Sequence, residues 1–263
     1  MEDTIALVTG ASSGIGEANA KELARKGSRH VLLLSRSEDN LQRVAEEIVA
    51  SGGTATPFPA DLSDRQAVPR VAERVKEEIG TPDILVHSAG AGRWLSVDET
   101  SPGEAVQMMA VPYFAAFFVT RLFLTDMLQR KSGHIVNITS AAAFRAIPGA
   151  TAYSAARWAM RGFSEALNAE LRGTGIGVSL YVSGTVMSSY FENNPGSYER
   201  MPKIAKLVRE LTPEEAARAI VRGIERNQPI IIVPFMMRLL ILLNNLLPGL
   251  LKWLVIQSGW KRT

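Results

Sequence analysis

The chain contains no cysteine, which excludes disulfides, thiolate metal sites and cysteine nucleophiles together. Histidine is scarce: His30, His87 and His134 stand singly in 263 residues. None sits at ligand spacing, so no metal site is expected. An excess of one charge is also missing. Lys and Arg number 29 against 26 Asp and Glu, and without a long basic block nucleic-acid binding is not expected. No basic, apolar, small-residue leader stands ahead of the first apolar run, because Met1-Glu2-Asp3-Thr4 leads straight into it. The cytoplasm is the expected compartment. Apolar residues, by contrast, make up 46% of the chain. That is enough for a sizeable core in one large α/β domain or two modest ones.

Short apolar runs alternate with amphipathic stretches along the whole sequence. Residues 5–8, 30–34, 54–58, 83–87, 134–139, 176–182 and 230–233 read as strands, each followed or preceded by a helical pattern. Leu41, Val44, Ala45, Ile48 and Val49 mark one helix face; Val68, Val71, Ala72 and Val75 mark another, expected over 65–78. Residues 101–130 form a long apolar helical pattern with Pro112 inside it, where a kink is expected. Strands separated by helices predict a parallel sheet with helices on both faces, as one domain. Residues 189–211 lack strong periodicity and read as a mobile lid. Thr212, with Glu215 three residues on, caps the next helix.

The first strand stops at Gly10-Ala11-Ser12-Ser13-Gly14-Ile15-Gly16 and a helix follows. Strand, glycine turn and helix aim backbone N–H groups at a diphosphate; the alternative is a plain αβ turn. Gly10 allows the tight turn, Gly14 leaves room for a ligand, and Gly16 lets helix and strand approach. The second strand ends in Ser35-Arg36, about twenty residues past the glycines, where an acidic side chain would bind a ribose 2′-hydroxyl. A guanidinium there suits a 2′-phosphate instead; the alternative is a solvated loop arginine beside Glu38 and Asp39. Asp61 lies at a strand's carboxyl end, where ligands of open parallel sheets sit, or else caps the following helix. Gly90 and Gly92 permit close backbone approach, either to a cofactor or within a tight turn.

Between residues 140 and 157 an apolar strand gives way to a helix on which Tyr153 and Arg157 are four apart, hence on one face. A phenol titrates at about 10, and a cation one turn away favours the phenolate. Ser140 could hydrogen-bond an oxygen held between them. The set reads as an acid/base site for chemistry at a C–O centre, hydride transfer included; the alternative is an ordinary strand-loop-helix with a buried Tyr beside a snorkelling Arg.

Taken together, Thr9-Gly10-x-x-x-Gly14-x-Gly16, Asp61, Ala89-Gly90, and Ser140 thirteen residues ahead of Tyr153 resemble the short-chain dehydrogenase/reductase family over roughly residues 4–234. The resemblance implies a Rossmann-type doubly wound sheet of about seven strands. Arg36 points to NADP(H) in preference to NAD(H), the apolar tail beyond residue 235 suggests a small lipophilic carbonyl or alcohol substrate, and a homodimer or homotetramer is expected. Tyr153 would exchange a proton with the substrate oxygen and Ser140 would position it. The cofactor would be held by Gly10, Ser12, Ser13, Gly14, Ile15, Gly16, Arg36, Asp61, Leu62, Ala89, Gly90, Tyr153, Arg157, Gly184, Val186 and Ser188. Several positions depart from the family pattern. Arg157 replaces a Lys, and Pro112 replaces the Asn that holds a relay water. His87 and Ser88 replace paired Asn residues, Ser183 a Pro, and Ser188 a Thr. Arginine keeps the charge but is planar, bulkier and never deprotonated.

Residues 1–234 thus read as the cofactor domain, with 235–263 as an apolar extension. Pro248-Gly249 breaks residues 236–256 into two helices, each short of the ~20 residues needed to span a bilayer. Trp253, Trp260, Lys252, Lys261 and Arg262 suit helices lying in a membrane surface; a dimer contact or a cover over the substrate cleft are the alternatives. Two functional readings stay open: an NADP(H)-dependent oxidoreductase, or a cofactor-binding protein of weak or no activity acting at a membrane or with a partner.

Overall fold

The computed structural model describes residues 1, 3–90 and 92–262; Ala91, expected beside the glycines after the fourth strand, lies outside them. Seven strands form one parallel sheet in the order β3-β2-β1-β4-β5-β6-β7. They are β1 (Ile5–Thr9), β2 (His30–Ser35), β3 (Ala55–Pro59), β4 (Ile84–His87), β5 (Gly133–Ser140), β6 (Ile176–Ser183) and β7 (Ile230–Val233). Their side chains alternate between two cores. Ala6, Val8, Val31, Leu33, Val86 and Val136 face one layer, while Leu7, Leu32, Leu34, Leu85 and Ile135 face the other. A strand buried on both faces must be apolar at every position, which is why these runs stand out in the sequence.

Helices α1 (Gly14–Arg25), α2 (Glu38–Ala50) and α8 (Pro213–Glu225) cover the first face. The second is covered by α3 (Ala67–Glu78), α5 (Ala115–Arg130) and α6 (Thr151–Glu170). α3 starts two residues later than expected, because the Asp64 carboxylate accepts the Gln66 N–H (2.8 Å) and holds a turn ahead of it. α8 carries the expected capping box of Thr212 and Glu215.

α4 (Pro102–Met109) continues into α5 through a π-helical turn at Ala110–Phe114 that contains the buried Pro112. Proline has no N–H to give to the preceding turn, and the wider turn is how the helix absorbs it. Residues 102–130 are long and apolar enough to cross a membrane. Ala115, Val119, Phe123 and Met127, however, are packed into the second core, as in a buried helix of a globular domain.

The 189–211 segment carries α7 (Tyr190–Asn193), a 3-10 turn at Lys203–Leu207 and a bridge from Val186 to Leu211. Beyond β7, α9 (Phe235–Leu246) and α10 (Pro248–Ser258) bend by 118° at the expected break. α9 packs Met237 and Ile241 onto Phe144, Val182 and Val208.

Candidate active site

The strand order reverses between β1 and β4, and there the carboxyl ends of the sheet open into a cavity of about 1100 Å³. The glycine turn forms one end. Gly10 has φ +67°, and a Cβ on it would stand 2.8 Å from the Ala89 backbone. A Cβ on Gly16 would sit 2.1 Å from the Gly10 carbonyl oxygen. Neither clash can be relieved by a side chain turning away, so both positions require glycine. The Thr9 hydroxyl accepts the N–H groups of Ser88 and Ala89 (3.1 Å each) and ties the two strand ends together. Ser13 occupies the N-cap of α1 without a side-chain cap bond. The first-turn amides are therefore left free to face an anion.

Arg36 and Asp61 flank the adjoining part of the cavity. Arg36 is exposed and forms no ion pair among the described residues, with Glu38 and Asp39 included. Asp61 does not cap α3. Its carboxylate accepts the backbone N–H (2.9 Å) and hydroxyl (2.7 Å) of Ser63. Partial burial works against ionisation of Asp61, but those two bonds and the nearby Arg36 charge outweigh it and hold the carboxyl below its ordinary range.

At the other end, β5 delivers Ser140, and the first two turns of α6 deliver Tyr153 and Arg157. The Ser140 hydroxyl accepts the Ala142 N–H at 3.3 Å. Tyr153 and Arg157 are 7% and 8% exposed. The guanidinium carbon lies 4.7 Å from the centre of the phenol ring, a cation–π arrangement. A Cβ on Gly90 would come within 3.1 Å of a terminal guanidinium nitrogen. The Arg157 Nε is buried and has no hydrogen-bond partner among the described residues. A buried charged donor without an acceptor is costly, and a ribose hydroxyl or phosphate oxygen would satisfy it. Together with the uncapped α1 turn, this is the chemistry a dinucleotide requires.

All seventeen residues expected at the site line this single cavity, the glycine turn with Ser12, Ser13 and Ile15, and Leu62, Ala89, Gly184, Val186 and Ser188 included. His87 and Pro112 do not line it. His87 is buried against α5, its Nε2 2.9 Å from the Thr120 hydroxyl; burial pushes the imidazole down to about 3 and keeps it neutral.

Two aromatic residues that no spacing in the sequence points to also line the cavity. Trp94 lies 5.5 Å, centre to centre, from the Tyr153 ring, and Tyr190 lies 6.4 Å from it. The Tyr190 hydroxyl donates to the Gly92 carbonyl (2.6 Å). Burial, followed by the neighbouring Tyr153 hydroxyl, pushes the Tyr190 phenol well above its ordinary value, so it stays a neutral donor. The indole Nε1 of Trp94 is buried without a partner among the described residues. A lone tryptophan in an otherwise featureless stretch was the one available signal. No group of three or more His, Asp or Glu side chains gathers at metal-binding distance among the described residues.

Residues 4–197 match the family model described as short chain dehydrogenase. A dehydrogenase/reductase SDR family protein 7-like of Drosophila melanogaster is 31% identical over 264 residues, covering 98% of this chain and 81% of the relative. The probable oxidoreductase EphD of Mycobacterium tuberculosis is 34% identical over 240 residues, or 87% of this chain. The match takes in only 40% of EphD's own length. Among solved structures, a metagenomic short-chain oxidoreductase in complex with NADP superposes with a TM-score of 0.75 at 31% identity, covering 89% of this chain and 97% of the other.

Proposed function

The chain belongs to the short-chain dehydrogenase/reductase family of oxidoreductases, and from that premise we propose that it is an NADP(H)-dependent enzyme acting on a lipophilic ketone or secondary alcohol. The observation that carries the proposal is the single cavity in which an uncapped glycine turn and Arg36 stand at one end and Ser140, Tyr153 and Arg157 at the other. When bound, the nicotinamide supplies or takes up the hydride at the substrate carbon. The protein's own groups do the rest. The α1 amides and Arg36 bind the pyrophosphate and the 2′-phosphate, and Asp61 and Leu62 border the adenine side. Arg157 presents its unpaired Nε to the ribose and its positive face to the Tyr153 ring. Ser140 donates to the substrate oxygen. In the reducing direction Tyr153 gives that oxygen its hydroxyl proton, and in the oxidising direction it takes the proton back. Trp94 and Tyr190 exclude water from the reacting carbon.

Support for an apolar substrate comes from the wall that Trp94, Ile147, Phe191, Met201 and Met237 give the cavity. Residues 1–234 form the cofactor and catalytic body in this reading, with 189–211 as its lid. The exposed Phe117 and Leu128 of α5 and Trp158 of α6 favour a homodimer or homotetramer. The second reading, a cofactor-binding protein with little turnover, is favoured by one observation: Pro112 is buried and takes no part in the cavity.

Fluorescence titration with NADPH and NADH, followed by a screen of hydrophobic ketones, tests the proposal. Arg157→Lys should raise turnover by on the order of tenfold, since a lysine can both hold a ribose hydroxyl and pass a proton. Parent and variant equally inert while NADPH binds well would leave the second reading.

A further inference from the structure

The outer faces of α9 and α10 are apolar and uncovered. On α9, Phe235, Leu239, Leu242 and Leu246 recur at intervals of four, three and four residues, which makes one stripe, and all are exposed, Phe235 by 69% and Leu246 by 68%. On α10, Leu250, Trp253 and Ile256 form a second exposed stripe. The opposite sides, Met237 with Ile241 and Leu251 with Val255, are buried against the body. Both uncovered stripes therefore face outward.

Charge identifies what covers them. Residues 226–263 contain no Asp or Glu side chain and five Lys or Arg. Arg262 pairs with Asp98, while Arg238, Lys252 and Lys261 are exposed and have no carboxylate partner among the described residues. The neighbouring 3-10 turn adds Lys203 and Lys206, both exposed, and packs on α10. A second copy of this chain meeting the face across a two-fold axis would set the cations of α9 and α10 against each other, and residues 226–263 carry no acid to compensate. An anionic lipid surface supplies both the apolar phase and the opposite charge. The lengths agree with a helix lying flat: α9 has 12 residues and α10 has 11, about 18 Å each at most, against a hydrocarbon core of about 30 Å.

We propose that α9 and α10 dock this protein in the plane of an anionic membrane surface, and that the substrate cleft opens where they meet it. The same elements build both. Met237 of α9 lines the cavity one residue from the exposed Met236. In the 3-10 turn, Ala205 lines the cavity while Leu207, 77% exposed, points outward beside α10. The substrate class that follows, resting on the oxidoreductase reading, is a carbonyl or alcohol dissolved in the lipid phase.

Co-sedimentation of the full chain with vesicles of phosphatidylcholine alone and of phosphatidylcholine with phosphatidylglycerol tests the docking, with sedimentation velocity and an NADPH titration on the same preparation. Binding should be at least about tenfold tighter to the anionic vesicles. Leu242→Glu should lower it by on the order of tenfold or more, and Lys252→Glu should remove most of the anionic preference without altering NADPH affinity. Absence of binding to either vesicle, equal binding to both, or binding indifferent to Leu242→Glu would overturn the proposal. So would a dimer that Leu242→Glu converts to monomer without any vesicle binding by the parent. NADPH affinity reports separately on the cofactor reading, so a failed titration beside intact vesicle binding would strike only the enzymatic proposal.

Discussion

Arg36 and Arg157 are two guanidinium groups lining one cavity in very different surroundings. Arg36 is exposed and has no ion-pair partner among the described residues, so it is available to a phosphate arriving from solvent, at the cost of some strength lost to screening. Its replacement by Ala should weaken NADPH by roughly tenfold to a hundredfold, the scale of one charge-assisted phosphate contact, and leave NADH nearly unchanged. Fluorescence titration of the two nucleotides measures both; equal affinities in the parent protein would refute the assignment. Arg157 is buried over a phenol ring with one donor unmet, so its strength comes from exclusion of water. Sequence alone placed Tyr153 and Arg157 on one helix face through simple periodicity. It could not show that the guanidinium stacks on the ring, because that depends on Gly90 leaving room from a different strand's loop.

At the scale of elements, the glycine turn and its flanking strand and helix were readable, because each glycine answers a local steric demand. The lid was not. Residues 189–211 show little periodicity, since their short helix and 3-10 turn are held by contacts distant in the chain. The Tyr190 hydroxyl bonds to Gly92, the Ser197 hydroxyl accepts the Trp94 N–H at 3.0 Å, and Arg200 grips Glu99 with two bonds of 2.6 and 2.7 Å. That grip, with help from Ser96, holds the Glu99 carboxyl down at about 2. Tyr190→Phe keeps the ring against Tyr153 and deletes one tether. Its expected effect is a rise of severalfold in KM for a bulky ketone, about what one hydrogen bond contributes, with NADPH affinity unchanged. Steady-state kinetics beside a binding titration separates the two. Pro112 shows the same limit from the other side: the residue announces a distorted helix, but whether it bends or widens into a π turn depends on what packs around it.

For the whole molecule, the parallel sheet carries two buried imidazoles that make stability depend on pH. Burial pushes His87 down to about 3 and His134 down to about 4, from an ordinary 6.5. Both are neutral in the folded protein, whereas the unfolded chain takes up protons from about pH 6.5 downward. The unfolded state therefore binds more protons, and the stability present above pH 6.5 is lost as pH falls toward 4, at about 2 kcal/mol for each histidine by pH 5. Urea denaturation at pH 7 and pH 5 should show the loss, and His87→Asn should remove roughly half of its pH dependence. The sequence by itself determined the α/β alternation, the glycine turn and the pairing of Tyr153 with Arg157, since each follows from a spacing of a few residues along one strand, turn or helix. Tertiary structure decided the strand order, the aromatic roof of Trp94 and Tyr190, and the outward placing of the α9 and α10 stripes. Those rest on contacts between segments up to about a hundred residues apart, such as Tyr190 with Gly92, and no local periodicity encodes which distant surfaces exclude water together.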